Sequence, residues 1–255
     1  MDKLLDFSGQ VVLITGAADG FGRMLALELS RRGAKLVIGD IQDEKLQALQ
    51  EQLLSADTPC VALTCDVSRP KECELMVATA LEHFGHLDIA INNAGIGQMP
   101  IPLHQLTAED LQRQLEVNLS GVAMGMKCQI SAMLPAKRGH ILNVSSMAGI
   151  GGAPMGSAYS AAKHGVIGLT KTAAVEYGRY GIRVNAVCPY FTPTNLLNDS
   201  GLGDDATLTK YAAASPMKRL AVPQEVVNAM VLMLSPANSF MTGQAIAIDG
   251  GVSAW

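Results

Sequence analysis

Short β-rich runs alternate along almost the whole chain with segments of helical periodicity. The seven β-rich runs span residues 11–15, 35–39, 60–65, 87–92, 140–144, 183–187 and 245–248. The intervening helical patterns span residues 20–32, 43–54, 70–84, 108–133, 157–177 and 223–234. Strands that alternate with helices form βαβ units, whose strands pair in parallel. The alternation therefore predicts an α/β fold with a doubly wound, seven-stranded parallel sheet and helices on both faces.

One long connection, residues 189–220, departs from this alternation. It contains three prolines and two glycines and is too long for an ordinary turn. Because long connections of this kind often close over binding sites, we expect a substrate-binding loop or lid here. No linker or charge block divides the rest of the chain, so we expect one domain over residues 1–255.

The composition argues against several classes of protein. Although 49% of the residues are hydrophobic, no apolar run approaches the ~20 residues that a membrane-spanning helix needs. The first nine residues are interrupted by charge and do not resemble a secretory signal, so we expect a cytoplasmic protein. Neither the five cysteines nor the five histidines have metal-ligand spacing, and no metal is expected. With a net charge of -4 and no basic cluster, no nucleic acid or membrane partner is expected.

A glycine-rich turn, TGAADGFG at residues 15–22, joins the first predicted strand to the first predicted helix. Glycine permits a tight turn and a close approach of a ligand to the backbone. The free N–H groups and the dipole of a helix N-terminus attract phosphate. Such a turn alone is as consistent with an ordinary loop, but its position between a strand and a helix favours a dinucleotide pyrophosphate site.

An acidic residue, Asp40, ends the second predicted strand about 20 residues beyond these glycines. A carboxylate at this point accepts hydrogen bonds from the adenosine ribose and repels the 2′-phosphate of NADP. Even ~2 to 3 kcal/mol of repulsion gives a ~30- to 150-fold preference for NAD. Asp19, inside the glycine-rich turn, adds a second negative charge. The predicted cofactor is therefore NAD, although Asp40 is also consistent with a helix N-cap.

Tyr159 and Lys163 stand four residues apart in a predicted helix, so their side chains share one helix face. Lowering the pKa of a tyrosine by roughly two units from about 10 takes about 2.7 kcal/mol, which a nearby cation can supply. Such a tyrosine exchanges protons as a general acid or base. A Tyr and a Lys at this spacing are common on exposed helices. The pair indicates a catalytic site only in combination with the other motifs.

Considered together, the motifs resemble the short-chain dehydrogenase/reductase family, in its compact single-domain branch, over nearly the whole chain. Six motifs occur in the family's order: TGxxxGxG at residues 15–22, Asp-Val at 66–67, Asn-Asn-Ala-Gly at 92–95, a helical Asn at 118, Ser at 146 and YxxxK at 159–163. The resemblance implies a Rossmann fold and an oxidoreductase that transfers hydride between a nicotinamide cofactor and a secondary alcohol or ketone.

The resemblance also implies a catalytic set of Ser146, Tyr159, Lys163 and Asn118. Ser146 would hydrogen-bond the reacting oxygen, and Tyr159 would exchange a proton with it. Lys163 would lower the pKa of Tyr159 and bind the cofactor ribose. Asn118 would hold a water that links Lys163 to solvent. Without the resemblance, Asn118 is explained as a polar residue in a bent helix.

A further implication of the resemblance is the set of residues that line the cofactor cleft. Asp66 and the backbone of Val67 would contact adenine, although Asp66 is equally consistent with a cap on the next helix. The predicted cofactor-binding residues are Gly16, Asp19, Gly20, Phe21, Gly22, Asp40, Ile41, Asp66, Val67, Asn93, Ala94, Gly95, Tyr159, Lys163, Pro189, Thr192 and Thr194.

The predicted substrate walls are largely apolar, and we expect no arginine near them to bind a carboxylate or phosphate. They are Ser146, Ile150, Met155, Tyr159, Tyr190, Phe191, Leu196 and Leu197. We infer an uncharged, hydrophobic secondary alcohol or ketone that is alicyclic, aromatic or steroid-like. Tyr190 stands where the family usually has glycine. Phe21 stands where the family usually has a smaller aliphatic residue, and we expect the Phe21 side chain to face the core.

The resemblance implies a homotetramer, and the apolar helical segment 165–175 is consistent with subunit contacts. Trp255 is expected either to reach a neighbour's pocket or to pack in an interface. Two other functions stay open. An NADPH-dependent 3-oxoacyl-thioester reductase conflicts with Asp40 and Asp19, and a non-catalytic NAD(H)-sensing protein conflicts with the intact catalytic set.

Overall fold

The computed structural model describes residues 3–254, so the prediction for Trp255 lies outside the described residues. The strands are β1 Val11–Thr15, β2 Lys35–Asp40, β3 Cys60–Thr64, β4 Ile89–Asn92, β5 Gly139–Val144, β6 Ile182–Pro189 and β7 Ala245–Ile248. The α-helices are α1 Gly20–Ser30, α2 Asp43–Leu54, α3 Pro70–Phe84, α4 Ala108–Leu115, α5 Gly121–Met133, α6 Ser157–Tyr177, α7 Asn195–Asp199, α8 Asp205–Ala214 and α9 Pro223–Leu234.

The seven strands form one sheet in the order β3-β2-β1-β4-β5-β6-β7. Every neighbouring pair is parallel. The order reverses between β1 and β4, and ligands of doubly wound sheets bind in the crevice at the carboxyl ends of the strands at such a point. The predicted doubly wound, seven-stranded fold is confirmed.

The central strand β1 is apolar at successive positions because each of its faces is covered by helices. Val12 and Ile14 belong to one core cluster, with side chains of α1, α2 and α9. Val11 and Leu13 belong to the other cluster, with side chains of α3, α5 and α6. A strand buried on both faces has no polar side, so its sequence does not alternate.

Two segments differ from the prediction. The helix predicted over 108–133 is divided by a π-helical turn at Glu116–Ser120, a feature that is frequent at functional sites. The connection 189–220 holds the two helices α7 and α8. Within residues 3–254, no helix is both long enough and apolar enough to cross a membrane.

A buried histidine on β5 predicts a loss of stability in acid. His140 lies beside Arg183 and Asn185 of β6. Burial and the charge of Arg183 lower the pKa of His140 to about 3 from 6.5. Between these values the unfolded chain binds a proton that the folded chain does not, so stability is complete above about pH 6.5 and falls as the pH decreases toward 3. The largest slope from this residue is about 1.4 kcal/mol per pH unit.

Urea unfolding at pH 7.5 and pH 5.5 tests this prediction. Between these pH values, the unfolding free energy of His140→Gln should decrease by about 1 kcal/mol less than that of the wild type. His83→Gln, which removes an exposed histidine of α3, is the matched control and should behave as wild type. An equal pH dependence in wild type and His140→Gln would contradict the assignment.

Candidate active site

A cleft of about 1480 Å³ opens at the carboxyl edge of the sheet. All the predicted catalytic, cofactor and substrate residues line this cleft except Gly22. Gly22 lies behind the lining, against Gly16. The cleft is also lined by residues outside the predicted sets, which include Lys45, Gln98, Arg113, Asn195, Lys210 and Tyr211.

The glycine-rich turn brings the backbone to the N-terminus of α1. Gly16 has φ +66°, and a Cβ on it would lie 2.7 Å from Ala94 Cα. A Cβ on Gly22 would collide with the carbonyl oxygen of Gly16. Because side chains at these positions would fill the turn, the glycines form a close backbone cradle at a helix N-terminus, which fits a pyrophosphate.

This cradle gives a testable prediction. Gly22→Ala should weaken NADH binding at least ~10-fold, because the collision with Gly16 displaces the turn. Fluorescence titration with NADH measures the effect, and thermal unfolding verifies that the variant is folded. Gly168→Ala on α6 is the matched control, since no neighbouring atom lies within 4 Å of its Cβ position. Equal NADH affinity in Gly22→Ala and wild type would contradict the prediction.

Asp40, at the end of β2, is held by backbone N–H groups. Its Oδ2 accepts from Ala18 N at 2.9 Å, and its Oδ1 accepts from Gln42 N at 2.9 Å. Each oxygen keeps a second lone pair for a ribose hydroxyl. The N-cap of α2 is Gln42, so the alternative interpretation of Asp40 as a helix N-cap is wrong.

Asp19 is not the free second negative charge that the sequence predicts. Its Oδ1 accepts from Gly20 N and caps α1. Its Oδ2 lies 3.2 Å from Lys45 Nζ and accepts from Asn195 Nδ2. The Lys45 ammonium offsets the charge of the Asp19 carboxylate. Repulsion of the NADP 2′-phosphate is therefore expected from Asp40 and not from Asp19. The contact with Asn195 also ties α7 to the glycine-rich turn.

Asp66 lies beside Val67 in the cleft wall, and its carboxylate is used locally. Oδ1 accepts from both the N–H and the hydroxyl of Ser68. The residue before α3 is Arg69, and no side chain caps that helix. The interpretation of Asp66 as a helix cap is therefore wrong, and Asp66 Oδ2 lies 3.6 Å from Arg69 Nε.

Two elements bring the predicted catalytic residues together. Ser146 follows β5, and its Oγ accepts from Ala148 N at 3.1 Å. Tyr159 and Lys163 lie in the first turns of α6. Lys163 is 4% exposed and donates from Nζ to Val144 O at 2.9 Å. The same Nζ lies 5.5 Å from the centre of the Tyr159 ring.

Burial has the largest effect on the electrostatics of this pair. Burial raises the pKa of Tyr159 to about 12, which a hydrogen bond with Ser146 offsets only in part. Burial lowers the pKa of Lys163 to about 8. Burial therefore dominates, because the phenol is desolvated and the Lys163 amine donates to the Val144 carbonyl. That Lys163 lowers the pKa of Tyr159 during the reaction stays a prediction.

Asn118 lies within the π-helical turn and is completely buried. Its Oδ1 accepts from Ile96 N at 3.0 Å, and its Nδ2 donates to Ile96 O and to Gln114 Oε1. Gln114 in turn donates to Gly97 O at 2.6 Å. Asn118 and Gln114 thus tie the bent helix to the loop after β4. Gln114 was not predicted, although its i, i+4 spacing from Asn118 is the signal that identifies it.

The far end of the cleft has an aromatic cluster, defined as Tyr190, Phe191 and Tyr211. The Phe191 and Tyr211 rings are stacked with centroids 3.6 Å apart, and Tyr190 meets both rings edge-on. Arg113 also lines the cleft. Phe21 both lines the cleft and packs against the core, as expected for its side chain.

Comparison with known proteins places this site in a family. Residues 16–253 match a family model described as enoyl-(acyl carrier protein) reductase. Cis-4-hydroxycyclohexanecarboxylate dehydrogenase of Sinomonas cyclohexanicum is 40% identical over 97% of this chain and 98% of its own length. The crystal structure of levodione reductase has a TM-score of 0.93 and 36% identity, over 97% of this chain and 99% of that one.

A second solved structure, an actinorhodin polyketide ketoreductase variant with NADPH, has a TM-score of 0.88 and 31% identity. The match covers 96% of this chain and 98% of that one. The family model, the relative and both structures extend over nearly the whole chain, and the six motifs lie within residues 15–163. This chain belongs to the short-chain dehydrogenase/reductase family.

Proposed function

We propose that the protein is an NAD-dependent dehydrogenase that interconverts a hydrophobic, alicyclic secondary alcohol and its ketone. One observation carries the proposal: Ser146, Tyr159 and Lys163 line the same cleft as the glycine cradle and Asp40. The predicted cofactor wall lies close to the catalytic residues, since a Cβ on Gly95 would be 3.6 Å from Lys163 Nζ. The relative named cis-4-hydroxycyclohexanecarboxylate dehydrogenase supports the alicyclic class.

The chain's own residues supply binding, orientation and proton transfer. Ser146 holds the reacting oxygen, and Tyr159 accepts the alcohol proton in oxidation or donates it in reduction. When bound in the cleft, a nicotinamide cofactor would supply the hydride chemistry at the substrate carbon. Because burial keeps the pKa of Tyr159 near 12, deprotonation of the phenol requires a nearby positive charge. Lys163, 5.5 Å from the phenol ring, supplies charge from the protein side.

Asp40 supports NAD as the cofactor, because its buried carboxylate would face a 2′-phosphate. The segment 189–220 is proposed as a lid, in which the Asp19–Asn195 contact anchors α7 over the glycine cradle. A homotetramer and a cytoplasmic location stay predictions. Light scattering at several protein concentrations tests the tetramer.

An NADPH-dependent reductase of a 3-oxoacyl thioester is the second candidate function. The family-model description and the NADPH-containing ketoreductase structure favour it. Asp40 opposes it. The third candidate, a non-catalytic NAD(H)-sensing protein, is opposed by the convergence of Ser146, Tyr159 and Lys163 in the cleft.

A substrate panel, run with both cofactors and in both directions, tests the proposal. It contains cyclohexanol, cyclohexane-1,4-diol, 4-hydroxycyclohexanecarboxylate, an aromatic secondary alcohol, a hydroxysteroid and the corresponding ketones, with a 3-oxoacyl thioester. We expect turnover of an alicyclic member with NAD(H). Turnover of the thioester with NADPH would favour the second candidate, and NADH binding without any turnover would favour the third.

A further inference from the structure

Helix α6, which carries Tyr159 and Lys163, has no side-chain cap from its own N-cap residue. Its N-cap residue is Gly156, which has no side chain to accept from the first helical N–H groups. The N–H of Tyr159, the third residue of α6, donates to Gln98 Oε1 at 2.8 Å. Gln98 thus provides from a loop 61 residues away the cap that the local sequence lacks.

The Gln98 side chain has only one orientation that satisfies this contact. A backbone N–H only donates, so the oxygen of the carboxamide must face Tyr159 and the nitrogen must point away. That Nε2 is buried and has no hydrogen-bond partner among residues 3–254. An unpaired buried donor is unfavourable, and an apolar side chain would avoid it. The presence of glutamine therefore indicates that the acceptor oxygen matters.

The loop that carries Gln98 is itself fixed at several points. The Asn118 side chain accepts from the N–H of Ile96 and donates to the carbonyl oxygen of Ile96, and Gln114 donates to Gly97 O. Ile101 N donates to Met155 O at 2.9 Å. The loop follows directly on Asn93 to Gly95, part of the predicted cofactor wall. Gln98 consequently connects the cofactor wall to the first turn of α6.

We propose that Gln98 is a positioning residue, whose side-chain oxygen fixes the first turn of α6 and with it the Tyr159 phenol relative to the cofactor wall. This inference rests on the proposed role of Tyr159 in proton transfer. A shift of about 1 Å in a reacting group costs on the order of 100-fold in rate. Loss of the cap should therefore affect kcat more than substrate or cofactor binding.

Three variants test the inference. Gln98→Met keeps the length of the side chain and removes the acceptor. Gln98→Glu keeps the acceptor and adds a negative charge, which a helix N-terminus favours. Ser157→Ala is the matched control, because Ser157 Oγ is also buried and unpaired at the start of α6 but does not cap it. The readouts are kcat and KM for the best panel substrate, NADH affinity, and hydrogen exchange of the Tyr159 amide.

Gln98→Met should lower kcat ~10- to 100-fold with KM and NADH affinity within about threefold of wild type, and it should accelerate exchange of the Tyr159 amide. Gln98→Glu and Ser157→Ala should each retain kcat within about threefold. If the wild type turns over the panel substrate but Gln98→Met has an unchanged kcat or an unchanged amide exchange, the positioning role alone is overturned. An inactive wild type would overturn the proposed function, and the positioning role with it.

Discussion

Replacement of Tyr159 by phenylalanine should lower kcat at least ~10³-fold while leaving NADH affinity within about twofold of wild type. The phenol is the proposed proton carrier, and it lines the cleft together with Ser146. Phenylalanine keeps the ring that lies 5.5 Å from Lys163 Nζ, so the local packing is retained. Only the hydroxyl group with its exchangeable proton is lost, so the variant should keep its affinity for NADH and lose its rate of turnover.

Steady-state kinetics with an alicyclic alcohol and a fluorescence titration with NADH measure the two effects. Tyr177→Phe is the matched control, because Tyr177 is the last residue of the same helix α6 and lies outside the cleft lining. It should retain kcat within about twofold. Wild-type turnover in Tyr159→Phe would reject the proton-transfer role of Tyr159.

The second large effect is on cofactor choice. Asp40→Asn keeps the shape of the side chain and one acceptor oxygen but removes the negative charge. The buried carboxylate is expected to give NAD a ~30- to 150-fold preference over NADP, and this preference should fall at least ~10-fold in the variant. Because Lys45 pairs with Asp19 at 3.2 Å, Asp19 should not sustain the preference in its place.

The ratio of kcat/KM for NAD to that for NADP is the measurement, made with one substrate at one ionic strength. Asp43→Asn is the matched control, because Asp43 carries an equal charge at the exposed start of α2 and does not line the cleft. Its ratio should match that of wild type. A wild-type enzyme without a preference for NAD, or an unchanged ratio in Asp40→Asn, would contradict the role given to Asp40.

The fold could be predicted from the sequence because its signals are local. The continuous apolar run of β1 reflects burial on both faces, and the predicted bounds of α2, α3 and α6 agree with the structure. The glycine-rich turn was recognisable for the same reason, since the strand, the turn and the helix are adjacent in the chain. Each of these features depends on neighbouring residues.

Features that depend on tertiary contacts could not be predicted in this way. The cap of α6 comes from Gln98, 61 residues from Tyr159. The pairing of Asp19 with Lys45 and Asn195 joins three separate elements. The pKa of Tyr159 depends on burial in the folded cleft, which the i, i+4 spacing to Lys163 does not report. Helices α7 and α8 lie in a segment whose prolines and glycines concealed their helical pattern.

Isotope transfer from an alcohol to the cofactor tests the central claim most directly. The wild-type protein is given NAD⁺ and cyclohexanol, or the best alicyclic alcohol of the panel, deuterated at the carbon that bears the hydroxyl. NMR of the isolated cofactor should then find deuterium at C4 of the reduced nicotinamide ring, and none should be transferred by Tyr159→Phe. Reduced cofactor that carries no deuterium, or equal transfer by wild type and Tyr159→Phe, would contradict the account.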